Sequence, residues 1–304
     1  MSVEFSRSTG DWLQTKASQV RTQLQFIAED RPAFVSLVVL ASFLFLGVFG
    51  PVIAPHEPIR YSVLSANGVI MRLHPPTLAA PLGTTAYGKD VLSQFLAGAR
   101  PTLIVGLFGG MATGGIGFLV GLVSGYYGGW VDEVLMRLTD LTFSLPFMPM
   151  ALLLLTFIRP NIWIITLIIA AFLWKMPARV VRSEVLSIRE RTFVKSARAS
   201  GASDFRTMFG HVAPNVLPIG FLYTAYGVAW SIAAQASLAF LGFGDPTTTS
   251  WGRMLRQLFA SGSIRVAWWW VLPPALGIAA VTTSVFLIGR AYEEIINPEI
   301  NDHQ

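Results

Sequence analysis

Phe193, Ala197, Gly201, Phe205 and Phe209 recur every four residues in FVKSARASGASDFRTMFGHVAPNVLP, the stretch from Phe193 to Pro218. On a helix that spacing gathers them into one apolar stripe, with small residues at its centre and aromatic rings at its ends. The chemistry such a stripe offers is recognition, because it can seat in a groove of another protein. Gly201 is placed to end a short helix in a left-handed conformation, and Ser203 or Asp204 to cap the next by accepting bonds from free backbone N–H groups. Pro214 and Pro218 then lead the chain into a following helix, where proline is tolerated at the start.

Covalent and metal chemistry find little support. The chain has no cysteine, which excludes disulfides, thiolate metal sites and cysteine nucleophiles. His56, His74, His211 and His303 are scattered without metal-ligand spacing, and no cluster of His, Asp and Glu converges, so neither catalytic nor metal-ligating residues are assigned. Gly110, Gly114, Gly117, Gly121 and Gly125 invite a nucleotide-binding reading, but no lysine and Ser/Thr pair follows them as a phosphate loop requires. Their steps of three and four residues suit close helix packing instead. Ser231, Gln235, Ser237, Thr282, Thr283 and Ser284 are polar positions in late apolar segments, and hence candidates for a substrate pathway. Polar residues in such segments more often join helices than bind cargo.

The elements that must position these residues are membrane spans. Apolar residues make up 53% of the 304 positions and charged residues only 13%, against roughly 25% charged in ordinary soluble domains. The net charge of +5 lies in loops, which argues for membrane orientation and against a nucleic-acid partner. Ala33 to Ile53 runs without a charge; as a helix it covers about 30 Å, enough for the hydrocarbon core and longer than the apolar region of a cleaved signal peptide. Further spans are expected at Thr102–Tyr126, Val134–Phe157, Ile162–Trp174, Val216–Phe240 and Trp268–Ile288. Arg137 and Asp140 are expected to pair on the third span, and Trp268-Trp269-Trp270 to form an aromatic belt at the lipid headgroups.

These spans predict an all-α integral membrane protein with six transmembrane helices and both termini cytoplasmic. Arg179, Arg182, Arg189, Arg191, Lys195, Arg198 and Arg206 outnumber Glu184, Glu190 and Asp204, so the loop bearing the stripe is assigned to the cytoplasm. The expected divisions are a cytoplasmic N-terminal segment (1–32) that lies on the membrane surface or forms a tail, a first transmembrane helix (33–55) and an extracytoplasmic excursion (56–100). A five-helix core (101–291) containing the loop that bears the stripe (186–213) and a cytoplasmic tail (292–304) complete the chain. Two other readings of the loop fare worse. A DNA-binding helix-turn-helix wedged between spans could hardly reach a major groove, and a plain solvated connector would not carry Phe193, Phe205, Met208 and Phe209.

The loop resembles the coupling loop, or EAA loop, of ATP-binding cassette importer permeases, in which Glu-Ala-Ala, three residues and a glycine precede a hydrophobic-x-Leu-Pro ending. Here Lys195-Ser196-Ala197, Arg198-Ala199-Ser200-Gly201 and Asn215-Val216-Leu217-Pro218 occupy that pattern, with Lys195 in place of the glutamate and Ser196 in place of the first alanine. Phe49-Gly50-Pro51-Val52-Ile53-Ala54-Pro55, Leu82-Gly83-Thr84-Thr85-Ala86-Tyr87-Gly88-Lys89-Asp90-Val91-Leu92-Ser93, Ser124 to Glu133, Ser237 to Gly244 with Ser250-Trp251-Gly252, and Asn297-Pro298-Glu299 extend the resemblance over nearly the whole chain. It points to the dipeptide, oligopeptide and nickel branch, and within it to the shorter permease subunit. Thr85, Lys89 and Gln235 depart from the branch's usual aspartate, arginine and glutamate.

The resemblance implies a type I importer permease fold in the inner (cytoplasmic) membrane, with a cytoplasmic coupling helix, and a non-catalytic subunit that binds no cofactor of its own. ATP and Mg would belong to two partner ATPase subunits, which would engage Phe193, Lys195, Ser196, Ala197, Arg198, Gly201, Ala202, Ser203, Asp204 and Phe205. A second homologous permease, an extracytoplasmic substrate-binding protein and membrane lipid are the other implied partners. Peptide is the first substrate, with oligosaccharide or a nickel chelate as the alternatives within the family. Outside it, the competing class is an ATP-independent secondary transporter or channel, which predicts intramembrane charges and inverted repeats.

Overall fold

Residues 31–296 are described by a computed structural model. The chain is helical over this range, with two isolated antiparallel bridges, Leu64 with Ile70 and Thr84 with Asp90, and no strand among the described residues. The parts of the expected terminal segments at 1–30 and 297–304, including Asn297-Pro298-Glu299, lie outside it.

The first helix, α1 (Arg31–Ile53), matches the expected first span. The second, α2 (Val91–Tyr127), begins well before the expected Thr102. Its first turn is polar, but Ser93 and Gln94 are buried, and Asp90 caps the helix by accepting from the backbone of Leu92 and Ser93 at 3.3 and 3.1 Å. Polarity there marks a capped helix start rather than a loop.

Two expected spans are bent. Helices α3 (Gly129–Ser144) and α4 (Phe147–Phe157) meet at 84°. Pro146 lacks an N–H and drives the preceding Leu145 into an extended conformation (φ −88°, ψ 118°), which ends α3. Helices α5 (Ile162–Leu173) and α6 (Lys175–Arg189) meet at 42° around Trp174. Two short helices, α7 (Thr192–Ala199) and α8 (Asp204–Thr207), lead through a π-helical turn at Met208–Val212 into α9 (Ala213–Leu238). A second π turn at Ala239–Phe243 ends α9, and α10 (Trp251–Ala260) and α11 (Trp268–Ile296) follow. Four helical stretches are long and apolar enough to cross a membrane, and up to six if each bent pair is one span.

Close approach of α2 to its neighbours organises the bundle. Gly110 and Gly114 lie against Val228 and Thr224 of α9, while Gly117, Gly121 and Gly125 lie against Pro177, Val181 and Val185 of α6. The glycine stripe is therefore a packing device used on two faces of one helix. Three apolar clusters result. One, at the end where α2 begins, centres on Trp251, Met254 and Trp270; another lies between α4, α5 and α9; the third joins Leu122, Tyr126, Val181, Val185 and Val216 at the opposite end.

Two local expectations are corrected. Arg137 pairs with Glu133 at 3.4 Å, and Asp140 with Arg179 at 2.7 Å, because α6 crosses α3 and brings an arginine that the local spacing could not reveal. Of the three tryptophans only Trp268 is exposed. Trp269 and Trp270 are core residues, and Trp269 Nε1 donates to the Thr84 carbonyl at 3.2 Å, so the run packs the excursion onto α11 rather than forming a belt.

Candidate functional site

The stripe residues sit on a helix, turn and helix at the end of the bundle where α2 terminates. Thr192 to Ala199 form α7, which ends as the Ala202 N–H bonds back to the Ala197 carbonyl at 3.2 Å and the Gly201 N–H to the Arg198 carbonyl at 3.0 Å. Gly201 takes φ +82°, the left-handed closure expected of it, with no heavy atom within 4 Å of where a Cβ would stand. Ser203 caps α8, its Oγ accepting from the Arg206 N–H at 3.4 Å. Asp204, the other capping candidate, has a different partner.

That partner is Tyr126, whose hydroxyl donates to Asp204 Oδ1 at 2.9 Å. The Arg198 guanidinium lies 4.8 Å from the centre of the same ring. Val194 and Met208 insert from above into the cluster formed by Leu122, Val181, Val185 and Val212, both fully or nearly fully buried. The turn is thus fastened from inside by two apolar plugs and one phenol. Arg189 adds a bond to the Gly125 carbonyl at 2.7 Å, and Arg182 clasps Asp132 through two bonds of 2.5 Å, joining α6 to the α2–α3 corner.

On the outward side the same element leaves Phe193, Phe205 and Phe209 exposed, at 42%, 68% and 40%. The rings of Phe205 and Phe209 pack on each other at 4.7 Å. Ala197 and Ala202 are partly exposed between them, and Arg191, Lys195, Ser196, Arg198 and Arg206 project around them. Lys195 pairs with Glu190 at 3.1 Å. Its ammonium, as hydrogen-bond partner and as charge, holds the Glu190 carboxyl below its usual range. A depressed carboxyl stabilises the pair above its unfolded value, and that contribution is lost as pH falls through the folded value. Both side chains lie in solvent, so the pair is a minor surface contact rather than a fastening of the turn.

The phenol contact carries a test. Tyr126→Phe keeps the ring and the packing but deletes the bond to Asp204, and a hydrogen bond to a charged group contributes about 1.5–3 kcal/mol. The expected outcome is faster amide hydrogen exchange across Asp204–Val212 with unchanged exchange in the body of α2. Ser203→Ala should loosen the same turn by about 0.5–2 kcal/mol through loss of the cap, read by the same experiment.

The pathway candidates are distributed along α9 and α11, which pack together. Ser231 Oγ lies 2.8 Å from where a Cβ on Gly109 would stand, in the α2–α9 seam. Ser231 Oγ, Gln235 Oε1 and Thr282 Oγ1 are buried with no hydrogen-bond partner, whereas Ser237 bonds its own helix at the Ala233 carbonyl. Thr283 is exposed and Ser284 buried, so that triplet presents no single polar face. No group of three His, Asp or Glu side chains able to hold a metal occurs among the described residues. Sequence reasoning missed Tyr126 and Val194 as anchors, since no spacing rule links Tyr126 to a residue so distant in the chain.

Residues 117–302 match the family described as binding-protein-dependent transport system inner membrane component. The oligopeptide transport system permease protein OppC of Mycobacterium tuberculosis (strain ATCC 25618 / H37Rv) is 35% identical over 267 residues, covering 85% of this chain and 88% of that protein. The dipeptide transport system permease protein DppC of Alkalihalophilus pseudofirmus is 29% identical over 289 residues, covering 94% of this chain and 92% of its own length.

Proposed function

Because this chain belongs to the family of binding-protein-dependent transport system inner membrane components, we propose that it is the permease subunit of an ATP-driven importer of peptides. It is a multi-pass membrane protein, and it forms half of a translocation pathway completed by a second, homologous permease. ATP is hydrolysed by two separate cytoplasmic subunits, and an extracytoplasmic binding protein delivers the substrate. With six spans, each bent pair counting as one, both termini and the α7–α8 turn share the cytoplasmic side.

One observation carries the coupling role: an aromatic face of Phe193, Phe205 and Phe209 left exposed on a turn that Val194, Met208 and Tyr126 fasten firmly beneath. A face built for docking needs both properties. Exposed rings supply binding surface, and rigid attachment to α2, α6 and α9 lets a displacement of the docked subunits tilt the spans. Phe193, Lys195, Ser196, Ala197, Arg198, Gly201, Ala202, Ser203, Asp204 and Phe205 form this coupling segment. Asp204 and Arg198 act in part inward, through Tyr126.

The test is uptake by proteoliposomes holding the complex that co-purifies with this chain. Peptide accumulation should require ATP and the binding protein together, and mass spectrometry should identify a second permease and ATPase subunits. Uptake by this chain alone, indifferent to ATP, would support the secondary transporter instead.

A further inference from the structure

At the end of the bundle opposite the α7–α8 turn, α9 closes with a π turn in which Gly242 takes φ +108°. The space a side chain would fill there is taken by Arg256 of α10, whose Nη1 lies 1.1 Å from where a Cβ on Gly242 would stand. Any other residue would displace the guanidinium. A cavity of about 220 Å³ opens beside it, lined by Ala239, Gly242, Gly244, Pro246, Arg253 and Arg256. Arg253 is held at its rim by bonds to the carbonyls of Asp245, Pro246 and Thr248 at 3.1, 2.7 and 2.7 Å.

The lining carries two cations and no anion. Arg256 is exposed to solvent and makes no hydrogen bond or ion pair among the described residues. The Asp245 carboxylate, whose charge reaches Arg253, accepts from the backbone of Ile162 and Thr247 and from Thr247 Oγ1. Residues three apart on a helix are neighbours, so Arg253 and Arg256 repel one another, and burial together with Arg256 pushes the Arg253 guanidinium below its usual range although Asp245 opposes the shift. A concave site with unused planar donors and excess positive charge is matched by a carboxylate, which a guanidinium can hold through paired bonds. Ala239, the first residue of the π turn, follows Ser231 and Gln235 of α9 at successive four-residue steps, and Ser231 and Gln235 both carry buried polar oxygens without partners. A ligand held at the arginines would stand at the head of that polar row.

We propose that the Arg253–Arg256 cavity is a carboxylate-binding site that receives the C-terminal carboxylate of a peptide at the outer mouth of the pathway. This rests on the peptide-importer reading above. Arg256 is the binding group, and Arg253 both shapes the loop and adds charge.

The experiment titrates a fluorescent tripeptide and its C-terminal amide into the solubilised importer complex, without binding protein, and measures uptake of the free acid by the same preparations after reconstitution. Wild type should bind the acid about tenfold more tightly than the amide, as expected for one charge-assisted contact. Arg256→Gln should bind both with the amide's affinity, and Arg256→Lys should restore part of the difference. Equal affinities in wild type, failure to bind either peptide, or an acid preference that survives Arg256→Gln would overturn the site. If Arg256 instead meets a carboxylate of the docked binding protein, uptake falls in Arg256→Gln with no acid preference in wild type, which also overturns it. Loss of the site with intact wild-type uptake leaves the importer reading standing; absence of wild-type uptake with ATP and binding protein overturns both.

Discussion

Gly201→Val should insert and accumulate in the membrane like wild type, but lose the proposed ATPase subunits on purification and transport less than a tenth as fast. The reason is backbone conformation alone. Gly201 takes φ +82° and no heavy atom lies within 4 Å of where a Cβ would stand, so the substitution meets no clash. A β-branched residue is strongly disfavoured in that region, at about 1–3 kcal/mol. The turn yields rather than the bundle, because the turn is exposed while Val194 and Met208 remain plugged into the core. Yielding changes the angle between α7 and α8 and separates Phe193 from Phe205. Gly201→Asn, which tolerates a left-handed conformation, should keep most of the activity. Recovery of the complex and uptake by reconstituted vesicles measure both variants.

Gly114→Val should have the opposite signature, with little folded protein recovered at all. A Cβ there would stand 2.0 Å from Thr224 Oγ1 and 2.8 Å from Thr224 Cα, so α2 and α9 must part to admit it. Overpacking typically costs about 1–3 kcal/mol, and here the obstruction includes backbone. The adjacent Gly110 meets the Val228 backbone at 2.4 Å in the same seam, so separation at one step opens the next. Gly115, one residue on, has nothing within 4 Å and is exposed. Gly115→Ala should leave yield and thermal stability at or slightly above wild type, since alanine favours the helix. Size-exclusion profiles and thermal melts in detergent distinguish the pair.

How much of this was legible in the sequence follows from the range of the interactions. The uncharged run to Ile53 and the glycine steps of α2 are local patterns, and the structure contains the helix and the close packing they imply. Gly201 and Ser203 were legible because turn chemistry is local. The bend at Leu145 was readable from Pro146, but the apolar run on either side concealed it. Partners distant in sequence were not readable. Asp140 finds Arg179 rather than Arg137, Asp204 finds Tyr126 rather than a helix terminus, and Trp269 finds Thr84 rather than lipid. In each case tertiary packing overrode a plausible neighbour. The membership of the family, by contrast, was carried by short motifs spread along the chain.

The most direct test of docking through the α7–α8 turn uses the absence of cysteine from the chain. Phe205→Cys, at a position 68% exposed, is labelled in native membranes with a maleimide-benzophenone, illuminated, and the adducts are identified by mass spectrometry, with Trp163→Cys as the control on a different helix. The account predicts an ATP-hydrolysing subunit captured from position 205 and not from 163. Preparations that transport peptide with ATP yet yield no captured ATPase from position 205 would contradict it.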